Sequence, residues 1–244
     1  MPISDIATAN LERHLHQNAY PGRGLVVGLS SVDAAWLMLY WIMGRSAHSQ
    51  NRRFVAEGGT LRTEPVDAGL VQDASLIVYE AMLECPPMYL VGNGAQVRAI
   101  YDALQAGDTF DNALAAWERE PDAPHYTPRI SAMLDIQRPT DNLILSILKA
   151  NTANSNDTDR WTYRPANPPA GFGVGLTTYR GDGHPLPSFT GEPLLLPCAG
   201  DPHQVLETYW RVLDANNRVA LAVKRIPRHG GQSDIVIRNR FAAS

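Results

Sequence analysis

Lysine is almost absent from this chain. Of 21 basic residues only Lys149 and Lys224 are lysines and the rest are arginines, set against 25 acids for a formal net charge of -4. A mildly acidic chain without basic clusters lacks the electrostatic footprint of a general nucleic-acid binder. The arginines have a plain reading, a bias in codon usage. They also have a sharper one, guanidinium forks that grip a phosphate. Cysteine is nearly as scarce. Cys85 and Cys198 form no CxxC and no Cys/His cluster, which argues against a structural zinc site and fits a reducing cytosol. Long apolar runs are missing too. The longest, residues 34–43 (AAWLMLYWIM), is far too short to span a bilayer. Residues 1–20 carry acids, histidines and asparagines with no apolar core of a signal peptide. The expectation is a soluble, cytoplasmic protein without nucleic-acid or membrane partners; a homo-oligomer is left open.

Catalytic signatures are absent as well. There is no Walker loop, no GxGxxG opening a helix, no HExxH pair and no GxSxG elbow. Pro2 follows Met1, so no Ser, Thr or Cys stands ready as a terminal nucleophile. The seven histidines are scattered and set out no metal site. Gly22-Arg23-Gly24 and residues 171–175 (GFGVG) are glycine-rich, but sheet packing explains them better than phosphate binding.

What is present is a chain of 244 residues with 44% hydrophobic content, enough for one sizeable core or a core split between two sheets. A helix capped by Ser4 is expected to run to Gln17. Residues 23–29 and 34–43 read as buried strands around a short turn, followed by a polar turn over residues 44–53. Apolar runs resume at 76–82 and 89–91. Val97, Ile100, Tyr101 and Leu104 sit at helical spacing up to Gly107, and Thr109 caps a second helix carrying Phe110, Ala113, Leu114 and Trp117. Residues 130–136, 143–148 and 172–179 read as strands, 151–159 as a turn. Pro202 suits the first turn of a helix reaching Asn216. Residues 219–226 and 234–238 close the chain as strands. About ten strands and four helices without βαβ alternation predict mostly antiparallel sheets with helices outside.

Four polar elements flank these apolar runs, where sites usually lie. They are Arg45 with Asn51 and Arg52, then Tyr79 in LIVYEAM, then Asn93 in a Gly-Asn-Gly turn, and last Glu120 with Thr127 and Arg129. Singly, each has a dull explanation: solvated loop arginines, core filling, a good turn, a local ion pair. In order along the chain, the strand RGLVVGL, the GRS…NR loop, YEAM, the NG turn, the E…TPRI loop and TYRGDGHPLPSF resemble the archaeal-type IMP cyclohydrolase family over residues 21–189. The C-terminal helix and strands are less similar.

That resemblance implies an α+β fold, a four-layered αββα sandwich like the N-terminal nucleophile hydrolases without the nucleophile. It implies one domain over residues 21–244 behind an extension of residues 1–20. It implies ring closure of 5-formamidoimidazole-4-carboxamide ribonucleotide to inosine monophosphate, a purine nucleotide as partner, and neither metal nor organic cofactor. By the same resemblance Arg52, Glu120 and Tyr79 are catalytic, and Arg45, Asn51, Asn93, Thr127 and Arg129 bind substrate. The chain departs from the family at residues 95–98 (AQVR), where members carry a more polar stretch. The loop before Thr127 is one residue longer than in short members, which leaves Glu118 as the alternative to Glu120. An amidohydrolase on the same fold, a non-catalytic nucleotide binder and a purely structural protein stay open at this point.

Overall fold

The computed structural model describes residues 1–71 and 78–241. The chain opens with α1 (Ile3–Leu11), which continues as a π-helical turn over Glu12–His16. Then come β1 (Gly24–Leu29), β2 (Trp36–Met43), α2 (Ala47–Gln50), β3 (Arg53–Glu57), β4 (Thr60–Glu64), β5 (Glu80–Cys85) and β6 (Met88–Gly92). Helices α3 (Gln96–Gln105) and α4 (Phe110–Leu114) precede β7 (Arg129–Asp135), β8 (Leu143–Ala150), β9 (Thr158–Tyr163), β10 (Phe172–Thr177) and β11 (Leu194–Pro197). Helix α5 (Pro202–Val212), β12 (Arg218–Ile226) and β13 (Asp234–Asn239) complete it.

The strands form two antiparallel sheets. One has six strands in the order β11-β10-β1-β2-β12-β13, and the other is a seven-stranded meander from β3 to β9. Strand β2 (WLMLYWIM) is buried along its whole length. A strand covered on both faces reads as an unbroken apolar run rather than an alternating one. Its inward Tyr40 packs on Phe54 of the second sheet, with ring centroids 5.5 Å apart. Its outward Trp41 packs on Tyr209 of α5 at 5.9 Å. In the second sheet alternation does the sorting. Tyr89, Val91, Ile130, Ala132, Leu134, Leu145 and Ile147 face the core between the sheets. Leu90, Met133, Ile144 and Leu148 face the other way and bury Val97, Ile100, Phe110 and Leu114 of α3 and α4. Helices α1 and α5 cover the opposite side, α1 against the edge strand β11, where Asn10 donates to the Leu195 carbonyl at 2.9 Å. No helix among the described residues is long and apolar enough to cross a membrane.

Several local expectations shift. Pro2, not Ser4, stands at the N-cap of α1, and no side chain caps it. The polar turn over residues 44–53 holds the short α2, set by a capping box between Ser46 and Ser49. Residues 53–64 form the β3–β4 hairpin; its alternating charges hid a half-buried edge. Strand β9 takes part of the expected 151–159 turn, and β11 is a strand over Leu194–Pro197, a stretch for which the sequence predicts no element. Residues 72–77, which include part of the run 76–82, lie outside the described residues; that run's strand is β5, beginning at Glu80. Thr109 and Pro202 act as expected, Thr109 accepting the Asn112 N–H and Pro202 following the N-cap Asp201.

An ion pair between a buried lysine and a partly exposed glutamate crosses between the sheets at one end. Lys224 of β12 is fully buried, donates to the Gly59 carbonyl at 2.7 Å and contacts the Glu84 carboxylate of β5. Burial pushes its ammonium below the usual lysine range, and Glu84 opposes that shift. Ser233 donates to the same carboxylate at 2.7 Å. Glu84→Gln strands a buried ammonium, and the expected loss is about 3 kcal/mol in urea unfolding. A loss below about 0.5 kcal/mol, the level of an exposed pair, would show that the pair carries no burial cost.

Candidate active site

At the opposite end, where β1 begins and β2 and β10 finish, the loops enclose a cavity of about 340 Å³. Its walls include Arg23, Arg45, Arg52, Glu120, Thr127 and Tyr179. Arg23 owes its place to the glycines on either side. Gly22 has φ +73°, a conformation that side chains rarely adopt, and a Cβ on Gly24 would lie 1.9 Å from the Trp41 indole. The Arg23 backbone is tied to Thr178, whose Oγ1 accepts its N–H at 3.1 Å and whose N–H donates to its carbonyl at 2.8 Å. From there its guanidinium reaches across to the second sheet. It donates to both oxygens of Glu120, at 2.6 and 2.8 Å, and to the Asn93 carbonyl at 2.9 Å. Burial alone would lower the arginine's proton affinity; Glu120 reverses this, and the net shift is well upward.

Glu120 is itself 3% exposed, its N–H donating to the Thr127 carbonyl at 2.9 Å. Asp122 shapes this loop by accepting the Thr127 N–H at 2.6 Å and the Thr127 hydroxyl at 2.5 Å. Arg52 enters from the other side. The Ser46 capping box starts α2, which ends after one turn at the C-cap Asn51, and Arg52 folds inward just beyond it. Its Nε donates to the Ser49 carbonyl at 2.8 Å and its Nη2 to the Met43 carbonyl at 3.0 Å. The residue is 5% exposed, and among the described residues no carboxylate pairs with it. A buried guanidinium held only by carbonyls keeps its charge free for an anion.

The mouth is more open. Arg45 is exposed, pairs with Asp182 at 2.5 Å and lies over the Tyr20 ring, 4.9 Å from its centroid. Tyr20 stacks on Tyr179 at 5.9 Å. His125 accepts the Leu186 N–H on Nδ1 at 3.1 Å, and burial, then the charge of Arg45, push it below the ordinary imidazole range, so it is neutral at pH 7. His48 also lines the wall, and its Nδ1 is buried with no partner. Among the described residues no group of three or more His, Cys, Asp or Glu side chains gathers to hold a metal ion.

A family model described as IMP cyclohydrolase-like protein matches residues 20–230. The chain belongs to the IMP cyclohydrolase-like family. No curated protein matches its sequence. The match begins at Tyr20, the first residue of the cavity wall, and takes in every residue that lines it.

In this IMP cyclohydrolase-like chain the cavity unites Arg45, Arg52, Glu120 and Thr127 of the residues singled out in the sequence. Glu118, the alternative to Glu120, turns its side chain to solvent, 62% exposed. The others stand behind the wall. Tyr79 is buried, its hydroxyl 2.7 Å from that of Tyr40, and both phenols lie within the field of Arg23. Asn93 is fully engaged. Its Oδ1 accepts the Ile130 N–H at 2.7 Å and the Gln96 side chain at 3.1 Å, and its Nδ2 donates to the Pro128 carbonyl at 2.8 Å. Asn51 spends both ends of its amide on the Asp67 backbone, at 2.7 and 2.8 Å. Arg129 donates to the Glu118 carbonyl at 2.9 Å and to Gln96 at 3.1 Å, and it comes within 3.9 Å of Glu120.

Sequence reasoning missed Arg23, Asp122 and Tyr179. Arg23 carried a signal, an arginine between two glycines, which was set aside because it matched no phosphate loop. Tyr179 lay within the TYRGDGHPLPSF segment of the resemblance but was not singled out, because its contact with Thr127 spans distant loops; Asp122 carried no signal of its own.

Proposed function

We propose that this protein is an IMP cyclohydrolase, closing the pyrimidine ring of 5-formamidoimidazole-4-carboxamide ribonucleotide by intramolecular dehydration within purine biosynthesis in the cytoplasm. The observation that carries the proposal is a carboxylate, Glu120, and a guanidinium that has no carboxylate partner among the described residues, Arg52, lining one cavity from separate loops. Both reacting groups belong to one substrate, so folding it into a near-attack geometry supplies much of the rate. The carboxamide nitrogen bonds to the formyl carbon, and the carbonyl pair moves onto the formyl oxygen. Arg52 stabilises that oxyanion. Glu120 takes the nitrogen proton on a lone pair that Arg23 leaves free, and Arg23 holds the carboxylate in position. The proton returns to the departing oxygen, and the former formamide N–H is lost as water leaves.

Arg45 at the exposed mouth is placed for the phosphate, through its planar fork. Thr127 touches the ligand in this reading, whereas Tyr79, Asn51, Asn93 and Arg129 position the loops that do. We also read the chain as one domain over residues 21–244, with residues 1–20 as an added cover. Its layering is read as akin to the N-terminal nucleophile hydrolases without their nucleophile.

The test is to incubate purified protein with the formylated nucleotide and follow inosine monophosphate by absorbance. Turnover supports the proposal. Binding of inosine monophosphate without turnover would reduce the protein to a nucleotide binder, and neither turnover nor binding would end the reading.

A further inference from the structure

Three side chains on the cavity wall form a hydrogen-bond chain that can run in only one direction. Both oxygens of Asp122 accept from Thr127, Oδ1 from the N–H at 2.6 Å and Oδ2 from the hydroxyl at 2.5 Å. An ionised carboxylate has no proton to give, so the single hydroxyl hydrogen of Thr127 is committed to it. The Tyr179 oxygen lies 2.5 Å from the same threonine oxygen. Tyr179 must therefore be the donor in that contact. A phenol has one hydrogen as well, so Tyr179 meets a ligand with lone pairs alone.

The geometry around Tyr179 leaves it little freedom to turn. The residue is 4% exposed and stacked on Tyr20, and its N–H donates to the Pro21 carbonyl at 3.1 Å. The Thr127 residue that receives its proton also accepts the Glu120 N–H on its carbonyl at 2.9 Å. The chain is thus tied by its middle member to the Glu120 backbone, while its tyrosine stacks on Tyr20, the ring that Arg45 covers.

We infer that Tyr179, aligned through Thr127 by Asp122, is a specificity-determining acceptor that selects nucleotides presenting an N–H donor on the base edge beside Glu120. This rests on the reading of the cavity as a purine-nucleotide site. In the proposed reaction the donor is the carboxamide N–H of the substrate and N1–H of the product. Asp122 acts as a positioning residue, since it sets the direction of a hydrogen bond that it does not itself make to the ligand.

The inference makes Asp122→Asn a polarity switch. The asparagine oxygen can still accept the Thr127 N–H, while its amide donates to the Thr127 hydroxyl oxygen. Thr127 then donates to Tyr179, and the phenol hydrogen turns toward the ligand. The experiment measures, by calorimetry, binding of inosine monophosphate (N1 a donor) and of purine riboside 5′-monophosphate (N1 an acceptor). Wild type should prefer the former by about 10- to 100-fold, the cost of facing one acceptor with another. Asp122→Asn should lower that ratio at least about tenfold. Contacts to the 6-oxo group are common to both proteins and cancel in the comparison. Tyr179→Phe, which keeps the ring and removes the oxygen, should lower the ratio as well and serves if Asp122→Asn fails to fold. A merely structural role would weaken both ligands together and leave the ratio unmoved. Both ligands bound with an unchanged ratio in the folded variants would overturn the inference alone. Failure of inosine monophosphate to bind wild type would overturn the nucleotide reading beneath it.

Discussion

Glu120→Gln is expected to lower turnover of the formylated substrate by about 10²–10⁴-fold, the range that a positioned general base contributes. Glutamine preserves shape and can still accept from Arg23, but it cannot take the carboxamide proton. A second effect accompanies the first. Arg23 loses the anion that both of its Nη atoms hold, at 2.6 and 2.8 Å, and Arg129 stands 3.9 Å from the same carboxylate. Two guanidiniums without a counter-charge in a buried site should cost about 3 kcal/mol of stability. Urea unfolding and steady-state kinetics read the two effects separately. The double variant Arg23→Gln, Glu120→Gln removes the nearer of the two stranded charges; it should regain part of the stability and remain inactive. A folded Glu120→Gln protein with undiminished kcat would remove Glu120 from the mechanism.

Arg52→Lys is expected to lower kcat by about 10²–10³-fold with little change in KM, the loss seen when one oxyanion donor is removed. Lysine keeps the charge. It cannot keep the geometry, because Arg52 spends Nε on Ser49 and Nη2 on Met43. Those two anchors aim the remaining N–H groups; a single ammonium cannot hold both carbonyls and still face the cavity. A raised KM at unchanged kcat would instead make Arg52 a ground-state anchor, with phosphate as its natural partner.

Much of the fold was legible where one segment's surroundings are uniform. The run WLMLYWIM is apolar at every position because both of its faces are covered. The helices α3 and α5 show their buried faces at helical spacing, and Thr109 and Pro202 mark helix starts by local chemistry alone. The β3–β4 hairpin was not legible. Its arginines and glutamates pair across the strands, as Arg53 does with Glu64 at 3.1 Å, so its charges read as solvated loop. The short α2 was hidden for a similar reason: four residues carry no periodicity, and only the Ser46–Ser49 capping box announces them.

The site divides along the same line. Arg45, Arg52, Glu120 and Thr127 could be picked out because polar residues in loops beside apolar strands are visible in one dimension. The sequence by itself determined the apolar strands, the helical faces that the core takes, and that several arginines stand in loops beside strand ends. Only the tertiary structure decided that Glu120 rather than Glu118 faces inward, that Arg23 is its partner, and that Arg52 meets carbonyls but no carboxylate among the described residues. It also decided that Asp122, Thr127 and Tyr179 share one hydrogen-bond direction. The reason is physical. Burial and periodicity are properties of a segment, whereas the neutralisation of a charge and the direction of a hydrogen bond are properties of a pair, and these pairs exist only once the two sheets have closed on one another.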